Sequence, residues 1–217
     1  MERAVIFDLD GVLVDSSLFH RESWRVVGKE RGFEMTDELF WRTFGMPNRQ
    51  ILPLLLHRDL SEDEIAELSE RKEAVYRELA AGKMQPLPGS TDLVRAVVDA
   101  GFRVALGSST PMSNIRVVLD ALGIRECFEQ IVCSDDVTHG KPHPEVFLKA
   151  AQKLGVDPSR CVVIEDAVVG VQAAKAAGMR CLAVATTHPA DKLQEADMVA
   201  PDLTHVTPGT LARMLDA

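Results

Sequence analysis

Four stretches of the chain contain residues whose types and spacing could do chemistry together. The first is Val5-Ile6-Phe7-Asp8-Leu9-Asp10-Gly11, where an apolar run turns abruptly acidic. Such a run reads as a strand buried on both faces, as in the interior of a parallel sheet. If the strand continues through them, Asp8 and Asp10 share a face, and Gly11 lets the backbone turn straight afterwards. The second stretch, Val104-Ala105-Leu106-Gly107-Ser108-Ser109-Thr110, ends in hydroxyls. By itself it is most simply a helix cap, a place that also favours anions. The third, Gly140-Lys141-Pro142-His143-Pro144, places a lysine before Pro-x-Pro, which suits a fixed point charge better than a mobile surface lysine. The fourth, Val162-Val163-Ile164-Glu165-Asp166, is another apolar strand that ends in acid.

Carboxylates at the ends of buried strands are costly unless a cation or a proton neutralises them. Two that approach closely repel by roughly 4 kcal/mol at an effective dielectric of about 20. Asp8, Asp10, Glu165 and Asp166 converging at one sheet edge would therefore call for a cation. Magnesium fits, because it prefers an octahedron of oxygens and keeps water and phosphate oxygens beside one or two carboxylates. His139 and His143 flank Lys141 at a spacing that would suit a metal pair, although on a Pro-rich loop they read first as surface or supporting residues.

The elements that must position these residues follow from the pattern around them. Strand-like runs alternate with helical ones from residue 86 onward: strands at 103–107, 130–133, 161–165 and 181–184, and helices centred on Val94, Val118, Leu148 and Ala173. That alternation indicates an α/β fold with a doubly wound parallel sheet. Residues 16–85 differ, being helical in period throughout. Gly32 closes one helix, Thr36 opens another, and Ser61-Glu62-Asp63-Glu64 is a strong capping-box start. Phe44-Gly45-Met46-Pro47-Asn48-Arg49 reads as a loop. The expected organisation is a discontinuous core, 1–15 with 86–217, and an inserted helical segment, 16–85.

Composition narrows the partners. A net charge of −9 argues against nucleic acid and acidic membranes, since both need clustered Lys and Arg. No apolar run reaches the ~18–20 residues of a membrane span and no signal peptide is visible, so a cytoplasmic location is expected, with nothing demanding more than a monomer. The four cysteines form no C-x-x-C pair and read as buried reduced thiols.

Taken together, Asp8-Leu9-Asp10-Gly11-Val12-Leu13-Val14-Asp15-Ser16 and the three later stretches, in this order, resemble the haloacid dehalogenase superfamily, in its phosphatase and β-phosphoglucomutase-like branch. The resemblance covers nearly the whole chain. It implies a four-helix cap hinged near Ser16 and Met84-Gln85-Pro86. It also implies Mg²⁺ held by Asp8, Asp166 and the backbone carbonyl of Asp10, with Glu165 acting through water. Asp8 would be the nucleophile, Asp10 the general acid and base, and Ser108, Ser109 and Lys141 would hold phosphate. Ala167 departs from the serine often found after the acidic pair.

In the cap, His20, Trp24 and Glu70-Arg71-Lys72-Glu73 resemble the mutase's segments. Trp24 reads as helix core, His20 and Lys72 as substrate-side candidates, and Arg49 as a candidate for a second phosphate or a sugar. Against a mutase, Pro111 and Met112 stand where the mutase pattern has Lys and Asn. The expected activity is hydrolysis of a small phosphorylated metabolite, with sugar phosphomutase second and a catalytically idle scaffold a distant third.

Overall fold

The structure, a computed structural model, describes residues 2–216. The chain forms two compact units, Met1–Asp15 with Gln85–Ala217, and Ser16–Met84.

In the first unit, β1 (Ala4–Phe7), β2 (Arg103–Gly107), β3 (Gln130–Val132), β4 (Cys161–Glu165), β5 (Arg180–Val184) and β6 (Met198–Ala200) build one sheet. Among the described residues it has the order β3-β2-β1-β4-β5-β6 and every pairing is parallel. In register, Ile6 lies between Ala105 and Val163. The chain moves outward from β1 through β2 to β3 and then returns to β4 on the other side of β1. This reversal opens a crevice at the carboxyl ends of β1, β2 and β4, where such sheets take their ligands.

Period-two alternation divides the core strands between two faces. Ala4, Ile6, Ala105, Val163, Cys181 and Ala183 face one core shared with α7 (Glu145–Leu154) and α8 (Val168–Ala176). On the other side α5 (Ser90–Asp99) packs against β2 and α9 (Pro208–Asp216) against β4. With α6 (Met112–Leu122) these helices complete the doubly wound arrangement expected from the strand–helix alternation. Strand β6 and helix α9 lie beyond the alternation that the sequence made visible. Cys133, Cys161 and Cys181 are buried free thiols, and burial pushes Cys161 up to about 12.

The second unit is helical: α1 (Ser17–Arg31), α2 (Asp37–Thr43), α3 (Asn48–Leu56) and α4 (Glu62–Ala80). Two of the starts, those of α2 and α4, have a side-chain cap. Thr36 accepts a hydrogen bond from the Leu39 N–H, and Ser61 and Glu64 close a full capping box. Gly32, at φ 79°, ends α1 in the left-handed conformation a glycine adopts freely. Trp24, Val27, Phe40, Leu52 and Val75 fill the unit's core, so Trp24 is a packing residue as expected. Arg49 is corrected in one respect: it lies in the first turn of α3, not in a loop. Among the described residues no helix is long and apolar enough to cross a membrane.

Candidate active site

Backbone pairing aims the first carboxylate. Strand β1 ends at Phe7, but the Asp8 N–H still donates to the Ile164 carbonyl at 3.0 Å, extending the ladder by one residue. Asp8 is thereby held 7% exposed at the mouth of the crevice. The chain then turns sharply: the Gly11 N–H donates to the Val14 carbonyl at 2.8 Å, with Gly11 at φ 80°. A side chain there would place its Cβ 1.9 Å from Asp166 Oδ2, so only glycine permits this approach. The Thr186 hydroxyl, from the loop after β5, donates to the Gly11 carbonyl and ties the turn to that loop.

The expectation that Asp8 and Asp10 share a strand face is not met, because the strand has ended. The Asp10 carboxylate instead accepts a hydrogen bond from the Thr110 hydroxyl, in the loop after β2. Asp8, Glu165 and Asp166 form the tight acidic group, with one oxygen of each within 4.8 Å of the others. Lys141 enters this group and is as buried as they are. Its ammonium donates to Asp8 Oδ1 at 2.7 Å and to Glu165 Oε1 at 2.6 Å, and lies 4.8 Å from the Phe147 ring centre. The peptide bond between Lys141 and Pro142 is cis.

The three acids are not equivalent. The second oxygen of Glu165 accepts the N–H groups of Asp166 and Ala167 at 2.8 and 2.9 Å, so both of its oxygens are occupied within the protein. By contrast, Asp166 Oδ2 is buried without a hydrogen-bond partner. Burial, reinforced by the charges of Glu165 and Asp8, pushes the Asp166 carboxyl well above the usual range. Burial likewise raises Asp8 to about 7 against the pull of Lys141. Burial opposes the charge on Lys141, yet Asp8 and Glu165 outweigh it and hold the ammonium above its ordinary value. Three carboxylates against one ammonium leave two formal negative charges, the deficit a divalent cation would fill. An all-oxygen donor set with an orphaned Asp166 oxygen suits magnesium.

Ser108 continues β2 as Asp8 continues β1, its N–H donating to the Val132 carbonyl at 3.0 Å. Its buried hydroxyl accepts the Thr110 N–H at 3.1 Å, while Ser109 is half-buried beside it. The simplest reading of these hydroxyls, a helix cap, is corrected: the N-cap of α6 is Pro111, and no side chain caps the helix. Thr110 is the residue this stretch hides, since its partner Asp10 is a hundred positions away.

His20, Lys72 and Arg49 belong to the helical unit. Lys72 is buried and bonds His20 Nδ1 at 2.7 Å and Glu73 Oε1 at 2.9 Å, and His20 stacks on Tyr76 with ring centres 4.2 Å apart. Glu73 also accepts from Asn48 at 2.7 Å. Burial works against the Glu73 charge, but Lys72, His20 and Asn48 outweigh it and lower its pKa. Arg49, exposed, pairs with Glu62.

Gly170 offers a check on how closely the acidic group is packed. A Cβ there would lie 1.8 Å from Glu165 Oε1. Alanine for glycine ordinarily stabilises a helix by roughly 0.5–1 kcal/mol. Here Gly170→Ala is expected to reverse that sign, displacing Glu165 from Lys141 and destabilising the chain by roughly 1–3 kcal/mol in denaturant melts. A variant more stable than wild type would contradict this packing.

The chain is similar to several known proteins. A haloacid dehalogenase-like hydrolase family model matches residues 2–178. A phosphorylated carbohydrates phosphatase of Thermotoga maritima is 36% identical over 180 residues, covering 81% of this chain and 82% of that protein. A fructose-1-phosphate phosphatase of Escherichia coli is 34% identical over 176 residues, covering 81% and 92%. Among solved structures, a β-phosphoglucomutase from Clostridium difficile superposes with a TM-score of 0.89 at 28% identity, covering 100% of this chain and 98% of the other. The chain belongs to the haloacid dehalogenase-like hydrolase family.

Proposed function

We propose that this enzyme hydrolyses the phosphate monoester of a small carbohydrate-like metabolite, with magnesium as cofactor and Asp8 as nucleophile. The observation that carries the reading is the buried group of Asp8, Glu165 and Asp166, where a single lysine leaves two negative charges unmatched. The site would hold Mg²⁺ through Asp8, Asp166 and the Asp10 carbonyl, with Glu165 in a supporting place because both its oxygens are engaged. When bound, the ion would offset negative charge on the phosphoryl oxygens and orient them.

The protein's own residues then divide the work. A carboxylate oxygen of Asp8 attacks phosphorus as the bond to the ester oxygen breaks, and Asp10 gives its proton to the departing alcohol. Water next attacks the aspartyl phosphate, Asp10 takes the water's proton, and the acyl–phosphate bond breaks to release phosphate and restore Asp8. One difficult displacement thus becomes two easier ones. Thr110 orients Asp10 for both transfers. Lys141, fixed between Asp8 and Glu165, steadies the nucleophile and presents positive charge to the phosphate. The Ser108 hydroxyl and the N–H groups of Leu9, Asp10 and Ser109 would bind the remaining phosphoryl oxygens.

Two phosphatases supply the carbohydrate element, through what their names say they hydrolyse. A phosphomutase is the second reading, favoured by the shape of the mutase structure. It is disfavoured by Pro111 and Met112, which offer no Lys and Asn to grip a second phosphate at the start of α6. Phosphate release from a panel of sugar, polyol and nucleotide monophosphates distinguishes these readings. Carbohydrate phosphates are expected to be hydrolysed best, with chelator abolishing the reaction and magnesium restoring it. Isomerisation of a hexose 1-phosphate without phosphate release would support the mutase, and activity unaffected by chelator would contradict the metal assignment.

A further inference from the structure

A second group of side chains is spaced for a metal ion: His139, His143 and Glu145, on the loop that leads into α7. Each offers one ligand atom, and the three atoms lie within 4.8 Å of one another. The two imidazoles are 4.7 Å apart, centre to centre, and tilted by 36°. His139 Nδ1 lies 3.3 Å from Glu145 Oε2, and the Glu145 N–H donates to His143 Nδ1 at 3.3 Å, a bond in which the His143 Nε2 takes no part.

The carboxylate is already held in place: Lys149 bonds it at 2.6 Å and the N–H groups of His139 and Thr138 donate to it. Pro142 and Pro144 limit the backbone freedom of the loop on either side of His143.

We propose that His139, His143 and Glu145 bind a first-row transition ion, for which Zn²⁺ is the natural probe. Two imidazoles and one carboxylate make a donor set that zinc accepts in tetrahedral form with water in the fourth place, at ~2.0–2.1 Å from each nitrogen. Magnesium, which demands oxygen, is not suited to it. The unit would thus sort two metals by ligand chemistry: an all-oxygen group beside Lys141 Nζ, and a nitrogen-rich one flanking the same lysine along the chain.

Closing the ligand atoms onto an ion asks for rotation of two imidazoles that are both exposed, so no core packing opposes it. Three features resist a cation: the Lys149 ammonium, the Thr138 and His139 N–H groups that already bond the carboxylate, and the positive N-terminal end of α7. Lys149 has a second acceptor, the Asp136 carbonyl at 2.6 Å, and can keep that bond while Glu145 turns to the ion. A bound ion would fix the chain two residues before and two after Lys141.

The test is calorimetric titration of the full chain with zinc chloride in excess magnesium, for wild type and for the double variant His139→Ala with His143→Ala. Wild type is expected to take up one equivalent. The double variant, with an unchanged melting temperature, is expected to bind zinc more than about tenfold more weakly. The proposal is overturned if wild type takes up no zinc while magnesium is in excess. It is equally overturned if the double variant binds zinc as tightly as wild type, which would place the ion elsewhere. Neither outcome touches the hydrolytic reading, which rests on the acidic group.

Discussion

Asp8→Asn is expected to reduce phosphate release by on the order of 10⁴-fold or more while leaving the fold intact. An amide cannot form the covalent intermediate, and removing one member of a unit that acts together costs nearly the whole catalytic effect. The fold should tolerate the change for a specific reason. Asp8 is buried beside Glu165 and Asp166, and burial already raises its carboxyl to about 7. Neutralising it relieves repulsion as well as weakening the bond to Lys141. The expected result is a melting temperature close to that of wild type together with no turnover, read from thermal melts and phosphate release on one preparation. Turnover within a few-fold of wild type would remove Asp8 from the reaction.

Lys141→Met should damage both properties. This ammonium is the counter-charge for Asp8 and Glu165 and is buried with them, so its loss leaves three carboxylates without a cation. Breaking a buried ion pair by removing one partner typically costs roughly 3–5 kcal/mol. For a chain of this size that lowers the melting temperature by roughly 10 °C. Methionine retains most of the side-chain volume and the contact with Phe147, so the loss reports charge and not packing. Because the deficit becomes three charges, magnesium should raise the variant's melting temperature by more than it raises wild type's. A variant that melts like wild type, with and without magnesium, would contradict the electrostatic role given to Lys141.

Much of this was legible in the sequence because its causes are local. Apolar runs ending in acid or hydroxyl marked the ends of β1, β2 and β4, and Ser61 with Glu64 announced α4. What escaped had non-local or weak causes. Helix α3 carries Pro53 inside it and its C-cap, His57, sits at φ 53° with no glycine to mark the stop, so its start at Asn48 reads as loop from the sequence. Strand β6 has three residues at the sheet edge, too few to show a period.

The pairing of Thr110 with Asp10 spans a hundred positions, and nothing beside either residue signals it. Thr186, which fixes the Gly11 turn, is a hydroxyl after a strand in the manner of Ser108, and that likeness could have drawn attention to it. The glycine requirement at position 170 comes from the Glu165 carboxylate pressed against it, a fact of packing alone.

Passage of phosphate through Asp8 is tested most directly by p-nitrophenyl phosphate with the Asp10→Ala variant. Its leaving group departs without needing a proton, so the first step survives, while hydrolysis of the intermediate loses the base that Asp10 supplies. A stoichiometric burst of p-nitrophenolate followed by stalling is expected, with mass spectrometry finding the phosphate on the peptide that contains Asp8. Phosphate on any other residue, or stalling with no burst at all, would contradict it.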